Sequence, residues 1–401
     1  MLRPAARSAS AFSPMSNPSD QNRFVFDAEF SVDFAHRLIF TDDLLADGDS
    51  TIESLFGDSS ASADSGVLAA IDSEVARLHP NLGERLTGRF SSPELPELRE
   101  VTLVPGGEAA KNDPDVVEHL LSLIDTLRID RKSTILCIGG GAVLDAVGYA
   151  AGIAHRGVRL IRVPTTVLSQ LDAAVGVKNG VNKFGKKNFC GTFAVPDAVV
   201  CDESMLATLS DRDWRGGFSE AVKIACLKDE SFFDGIESSA ARIRDRDMDA
   251  ARPVIRHCAD LHLRHIAEGG DPFECREARP LDFGHWSAHR LESLTDFTVT
   301  HGEAVSIGVA LDTHYSHLVG RIDRDTSIRV VRTLDALGLP TSHPALGSDA
   351  LLDGLEEFRE HLGGRLTITL LEGIGRGIDV HVVDRDLVAE AATTLPNLLS
   401  G

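Results

Sequence analysis

Cys137-Ile-Gly-Gly-Gly-Ala-Val-Leu-Asp145 decides the fold of this chain. A short apolar run, Thr134–Ile138, leads into three glycines, and a helical apolar spacing follows over Val143–Ala154. Gly139, Gly140 and Gly141 then lie at a strand-to-helix junction, where backbone N–H groups can approach a pyrophosphate at a helix N-terminus. The run is not the Gly-x-Gly-x-x-Gly fingerprint, and taken alone it reads as a tight turn.

Working outward, strand and helix signals alternate on both sides of that junction. Phe24–Leu38 reads as strand-rich, Gly66–Leu78 as a helix, Glu100–Pro105 as a strand and Asp115–Leu127 as a helix. Arg159–Val163 and Val199–Cys201 complete the strands. Alternation of this kind predicts a parallel sheet with crossover helices. From Ser210 the spacing becomes helical throughout: Trp214–Leu227, Ala250–Ala267, Ser287–Leu294, Ala304–His317, Ser327–Ala336 and Ser348–His361. One late pair, Leu366–Leu371 and Gly377–Val383, reads as a hairpin. The expected organisation is a leader over residues 1–22, an α/β nucleotide-binding domain over 23–209 and a mainly helical domain over 210–401. The leader is rich in Ala, Ser and Pro and lacks the apolar core of a secretory signal; it reads as a disordered tail or as residues preceding a start at Met15, in preference to an organelle-targeting leader.

The 401 residues carry a net charge of -21, which argues against nucleic acid as a partner. It also means that an anionic substrate must enter a locally basic site against an unfavourable overall field. Six cysteines are scattered without a CxxC pair, as in a reduced cytoplasmic enzyme. No run reaches the length of a membrane span, so no membrane partner is expected.

Chemistry-bearing residues recur in a fixed order. Val163-Pro-Thr-Thr166 offers Thr165 and Thr166 as hydrogen-bonding groups, and Leu171-Asp-Ala-Ala-Val-Gly-Val-Lys178 carries Asp172 and Lys178. Gly185-Lys-Lys-Asn188 follows, then Gly217-Phe-Ser-Glu-Ala-Val-Lys223. Asp282-Phe-Gly-His-Trp-Ser-Ala-His289 and His301-Gly-Glu303 supply imidazoles. One carboxylate and two histidines suit a catalytic zinc ion. Residue types alone leave two sets open: Glu220, His285 and His301, or His285, His289 and Glu303, the second because His285 and His289 lie four apart on one helix face.

This ordered set resembles the sugar phosphate cyclase superfamily, whose founding member is 3-dehydroquinate synthase, from roughly Phe40 to the C-terminus. The resemblance implies that fold, an α/β domain followed by a helical one, and a homodimer that uses NAD with Zn2+ or Co2+. It selects Glu220, His285 and His301 as metal ligands and leaves His289 to the substrate or a proton relay. It implies NAD contacts from Asp42, Glu108, Lys111, Gly139, Gly140, Gly141, Asp145, Thr165 and Thr166. Asp172, Lys178 and Lys223 join His289 as catalytic positions; Lys187, Asn188 and Arg156 would hold the substrate phosphate, Arg156 from the neighbouring subunit. A family lysine aligns to Arg264, or with a small shift to His262.

The implied reaction oxidises a secondary alcohol of a small sugar phosphate with NAD, eliminates phosphate, returns the hydride and closes a carbocycle by an intramolecular aldol step. Departures concern the substrate. Ala278, with Arg279 beside it, stands where quinate-forming enzymes place an arginine for the substrate carboxylate, Asp282 replaces a usual asparagine, and a lysine pair gives way to Phe358-Arg-Glu-His-Leu-Gly363. Valiolone-type cyclases, which use sedoheptulose 7-phosphate, commonly carry proline where His289 stands. Residues 280–289 together with 358–363 are most similar to the cyclase of bacterial Ebo-type clusters. The competing class is the metal-dependent alcohol and glycerol dehydrogenases of the same architecture, which do not need the basic set Arg156, Lys178, Lys187 and Lys223.

Overall fold

The structure, a computed structural model, describes residue 28 and residues 30–57, 65–269, 272–273, 280–361 and 365–400. Ala278, Arg279 and residues 362–363 lie outside the described residues, as does the expected leader.

The first half builds β1 (Arg37–Thr41), α1 (Thr51–Gly57), β2 (Gly66–Asp72), α2 (Ser73–Leu78), α3 (Leu82–Arg89) and β3 (Glu97–Val104). It continues with α4 (Ala109–Asn112), α5 (Pro114–Thr126), β4 (Thr134–Gly139), α6 (Gly141–Ile153) and β5 (Arg159–Pro164). A hairpin of β6 (Lys178–Lys183) and β7 (Lys186–Phe193) precedes β8 (Ala198–Asp202). The sheet order is β1-β8-β5-β4-β2-β3, and every pairing in it is parallel. All six strands therefore end at one edge. The chain runs outward from β2 to β3 and then resumes on the other side of β2 with β4, so a crevice opens between the ends of β2 and β4. Open parallel sheets bind ligands at such a reversal.

Gly66–Leu78 is not one helix. Gly66-Val-Leu-Ala-Ala-Ile-Asp72 is a central strand with all seven residues buried, and only Ser73–Leu78 is helical. A strand buried on both faces has no alternation, and its alanines merge with the true helix that follows. The boundary is set by Asp72, whose carboxylate accepts the Glu74 N–H at 2.9 Å as the N-cap of α2. In the expected N-terminal strand region, residues 30–36 carry no regular structure and the strand begins at Arg37.

The second half packs α7 (Asp211–Lys228), α8 (Glu230–Arg244), α9 (Met248–Glu268), α10 (His285–Leu294), α11 (His301–Leu318) and α12 (Arg324–Ala336) around one apolar core. The stretch 348–361 is split into α13 (Asp349–Leu352) and α14 (Gly354–His361). The expected hairpin forms as β9 (Ile368–Gly373) and β10 (Arg376–Val380), and α15 (Arg385–Thr394) follows. Helices α8 and α15 and the hairpin β6–β7 have no counterpart in the sequence reading. The hairpin is largely polar and half exposed, so it shows no apolar face to read.

Backbone contact draws the helical elements together around the site. At Gly302, in the first turn of α11, a Cβ would lie 2.2 Å from the Gly216 carbonyl oxygen in α7. Gly284 adopts φ 77° at the N-cap of α10, and a Cβ there would lie 2.6 Å from the Val309 nitrogen of α11. Both positions demand glycine, and both bring a histidine-bearing helix end against its neighbour.

Candidate active site

The crevice edge is lined by the turns after the parallel strands. Gly139 ends β4, Gly140 is the N-cap of α6 and Gly141 is its first residue, and a glycine N-cap brings no side chain to the N–H groups of the first turn. Thr165 follows β5 and donates its N–H to the Gly139 carbonyl at 3.1 Å. Thr166 turns its hydroxyl to Ser169 at 2.8 Å. Across the crevice, Asp72 lies at the end of β2, and a Cβ on Gly106 would stand 2.6 Å from its Oδ1. Burial raises the Asp72 carboxyl above its usual range, against hydrogen bonds from Glu74, Val75 and Gly140. Sequence reading missed Asp72 because the strand that places it read as a helix. Free amides at a thirteen-residue helix and glycines where a side chain would collide fit a dinucleotide phosphate. Asp42, just past β1, is exposed.

Lys111 is 6% exposed and reaches Asp145 Oδ2 at 2.6 Å and the amide oxygen of Asn188. Glu108 accepts from Asn182 at 2.8 Å and lies 3.3 Å from Lys187 Nζ. The hairpin β6–β7 thus folds against the residues assigned to NAD. Lys178 is the first residue of β6 and exposed. Its carbonyl receives the buried Arg162 guanidinium at 3.3 Å.

In the helical domain, Glu220 is fully buried in α7. Nε2 of His285 and Nε2 of His301 approach the same oxygen, Oε1, at 3.4 and 3.6 Å. Lys223, one turn on and 2% exposed, puts its ammonium 2.5 Å from Oε2. Neither Glu220 oxygen has a hydrogen bond of good geometry, a costly arrangement for a buried carboxylate unless a cation completes it. One carboxylate and two imidazoles converging on a point fit a divalent metal with open positions. Burial works against the Glu220 charge, but Lys223 and His285 outweigh it and hold the carboxyl well below its usual range. Burial likewise opposes a charge on His301, yet Glu292 and Glu220 hold its pKa up to about 10, so a proton leaves when that ring ligates a metal.

His289 faces the opening, its ring 5.3 Å from that of His285 and 6.0 Å from that of His301. Desolvation in the cleft first, and then those two imidazoles, lower its pKa and keep it a neutral proton acceptor. The rival set with Glu303 is not assembled, because Glu303 is held by Arg212 at 2.7 Å and caps the Thr300 N–H at 2.9 Å. A second cluster the sequence reading did not contain is His289, Glu292 and His301.

Asp172 lies in a single π-helical turn, Ser169–Ala173. Its partner is His262, whose Nδ1 is 3.1 Å from Oδ1. Arg264 pairs its guanidinium with Asp260 one turn back on α9 at 2.9 Å, with a side chain 62% exposed. Two residues along a helix point to different sides, so of the pair only His262 reaches the cleft. Arg156 is also remote, on an exposed turn at the far end of α6, about 20 Å of helix from the glycines.

A parallel α/β domain and a helical domain, meeting at a glycine turn and a carboxylate–imidazole cluster, form the dehydroquinate synthase-like fold. Residues 101–216 match the family of 3-dehydroquinate synthase N-terminal domains and 217–358 that of the C-terminal domains. The 3-dehydroquinate synthase of Paracoccus denitrificans is 36% identical over 333 residues, 80% of this chain and 86% of that one. The chain belongs to the 3-dehydroquinate synthase family, within the sugar phosphate cyclases. Among solved structures, the 2-epi-5-epi-valiolone synthase of Streptomyces hygroscopicus subsp. jinggangensis, with NAD+ and Zn2+ bound, superposes with a TM-score of 0.84 at 27% identity, covering 93% of this chain and 99% of that one. A 2-deoxy-scyllo-inosose synthase shares the fold at 22% identity and TM-score 0.73, over 91% and 96% of the two chains. Among the described residues, no helix is long and apolar enough to cross a membrane.

Proposed function

We propose that this enzyme is a sugar phosphate cyclase that converts a C7 sugar phosphate to a carbocycle with loss of phosphate, using NAD+ and a divalent metal at one site. The observation that carries the reading is the convergence of His285 and His301 on the buried Glu220, with Lys223 beside it. Glu220, His285 and His301 would hold the ion, and Gly139–Gly141, Asp145, Lys111, Thr165 and Thr166 would hold the dinucleotide. When bound, NAD+ supplies a hydride acceptor and the metal a Lewis acid for the hydroxyl being oxidised.

The chain's own residues do the rest. Lys223 places a fixed positive charge beside the reacting oxygens, and its charge is held by Glu220 and Asp172 against the cost of burial. Asp172, oriented by His262, is placed to accept hydrogen bonds from substrate hydroxyls. His289 takes or returns a proton at the mouth of the cleft. Lys178, Asn188 and, from a second copy of the chain, Arg156 bind the phosphate that leaves.

The substrate is a heptulose phosphate for which a carboxylate brings little advantage. Among the described residues, the aligned basic candidate, Arg264, turns away to Asp260, and the cleft position is His262, already paired with an acid. Support for an Ebo-type branch comes from the sequence of Pro280–His289 and Phe358–Gly363. Incubation with NAD+, Zn2+ or Co2+ and a panel of heptulose phosphates is expected to release inorganic phosphate and a cyclic product without net NADH. The kcat/KM ratio for 3-deoxy-arabino-heptulosonate 7-phosphate over sedoheptulose 7-phosphate should forgo the roughly tenfold to hundredfold gain of a charge-assisted carboxylate contact. Arg264→Ala should leave that ratio unchanged. Stoichiometric NADH from an unphosphorylated polyol would overturn the cyclase reading.

A further inference from the structure

Glu292 has no place in the chemistry above, yet it is 2% exposed in the last turn of α10. A buried carboxylate survives only with partners. It has two, from different parts of the molecule. Oε2 lies 3.3 Å from Nδ1 of His301, and Oε1 accepts from Lys187 Nζ at 2.8 Å. Lys187 comes from β7 in the α/β domain, where it also meets Glu108 at 3.3 Å, and its ammonium lies 4.9 Å from the Phe297 ring centre.

We propose that Glu292 is a positioning residue of the candidate metal site: it holds His301 by Nδ1 so that Nε2 faces Glu220 and His285, and through Lys187 it ties this histidine to the β6–β7 hairpin. The proposal rests on the metal reading above. A histidine ligates through one nitrogen, and the partner of the other sets its tautomer and ring direction. The capping box of Thr300 and Glu303 fixes where α11 starts but leaves the His301 ring free to turn. Glu292 supplies the missing restraint. His285, His289 and Glu292, at spacings of four and three, share one face of α10, so one helix brings a ligand, a proton acceptor and the orienting carboxylate together. Lys187 then has a role beyond phosphate binding. Its ammonium meets Glu292 and Glu108 together, so it links the metal site to the docked hairpin. The alternative use of Glu292, as a ligand together with His289 and His301, is disfavoured because Oε1 is engaged by Lys187 and His301 turns Nε2 to Glu220.

The test is Co2+ titration of the full-length metal-free protein, read by the visible d–d spectrum and by chelator competition, without NAD or substrate. The variants are Glu292→Ala, Glu292→Gln, Lys187→Met and, as a control on the metal site itself, Glu220→Ala. Glu292→Ala is expected to weaken Co2+ binding about 10- to 100-fold and to shift the d–d bands. Glu292→Gln should recover part of both, because its amide oxygen still accepts from Nδ1–H. Lys187→Met should weaken binding by a smaller factor, which loss of a phosphate contact alone would not do. Melting curves of the metal-free forms show whether each is folded; should the alanine form fail to fold, the glutamine form decides. Wild-type affinity and spectrum in both Glu292 variants, with binding lost in Glu220→Ala, overturn the proposal and spare the metal site. Loss in Glu292→Ala as complete as in Glu220→Ala, with no recovery in Glu292→Gln, makes Glu292 a ligand and also overturns it. Co2+ bound equally by wild type and Glu220→Ala overturns the metal reading and the proposal with it.

Discussion

Single residues divide the imidazoles of the cleft into two kinds. His285 and His301 share one carboxylate oxygen, whereas His289 meets them through ring packing. Glu220→Ala, His285→Ala and His301→Ala should therefore each lower bound zinc and abolish turnover. His289→Ala should impair turnover and leave most of the metal in place, since it removes a proton acceptor and no ligand. Metal analysis of the purified variants beside their kcat values checks this; zinc lost from the His289 variant and kept by the Glu220 variant would reverse the assignment. The lysine and acid of Glu220 and Lys223 are one turn apart on α7, so their proximity is readable from spacing alone. Asp72, His262 and Glu292 are not readable in that way. His262 meets an acid ninety residues earlier in the chain, and Lys187 meets Glu292 over a comparable distance, and no local spacing encodes such a meeting.

Among elements, the meeting of α10 with α11 places the two histidines of the proposed metal site. Asp312, buried within α11, accepts the Gly284 N–H at 3.0 Å and the Trp286 Nε1–H at 2.9 Å, clamping the first turn of α10 on both sides of His285. Burial lifts its carboxyl to about 7, although both hydrogen bonds pull it down. The folded state thus takes up a proton at a pH where the unfolded chain, with an ordinary aspartate pKa near about 3.9, does not. The resulting stability is fully present below about pH 4 and is lost as pH rises through about 7; about three units correspond to on the order of 4 kcal/mol. Asp312→Asn is neutral throughout and should flatten this slope. Urea unfolding of the metal-free proteins between about pH 5 and 8 would show it, and parallel losses in the two proteins would exclude Asp312 as the source. The same scale explains the misreading of Gly66–Asp72. A central strand of a parallel sheet is apolar on both faces, so its period is invisible next to a helix.

For the molecule as a whole, we propose that Arg156, exposed at the far end of α6, serves the cleft of a second copy of the chain. Mixing inactive Arg156→Ala with inactive Glu220→Ala protein tests this. Random exchange in a dimer leaves one intact cleft in each mixed pair, so about a quarter of wild-type activity should return. No recovery, under conditions where size measurements show exchanged dimers, would place Arg156 in its own chain's cleft or outside the chemistry.

The sequence by itself determined the order of parts: an alternating half, a helical half, a glycine turn between a strand and a helix, and the carboxylate and histidines that follow. Periodicity and residue chemistry are local, and they survive in one dimension. Tertiary structure alone decided which groups meet. It turned Arg264 to solvent and His262 to Asp172, closed α11 on α7 through Gly302 and Gly216, and joined Glu292 to both Lys187 and His301. Each of these depends on the direction of a side chain around its helix and on the packing of elements far apart in the chain, and a buried charge finds its partner only once that packing exists.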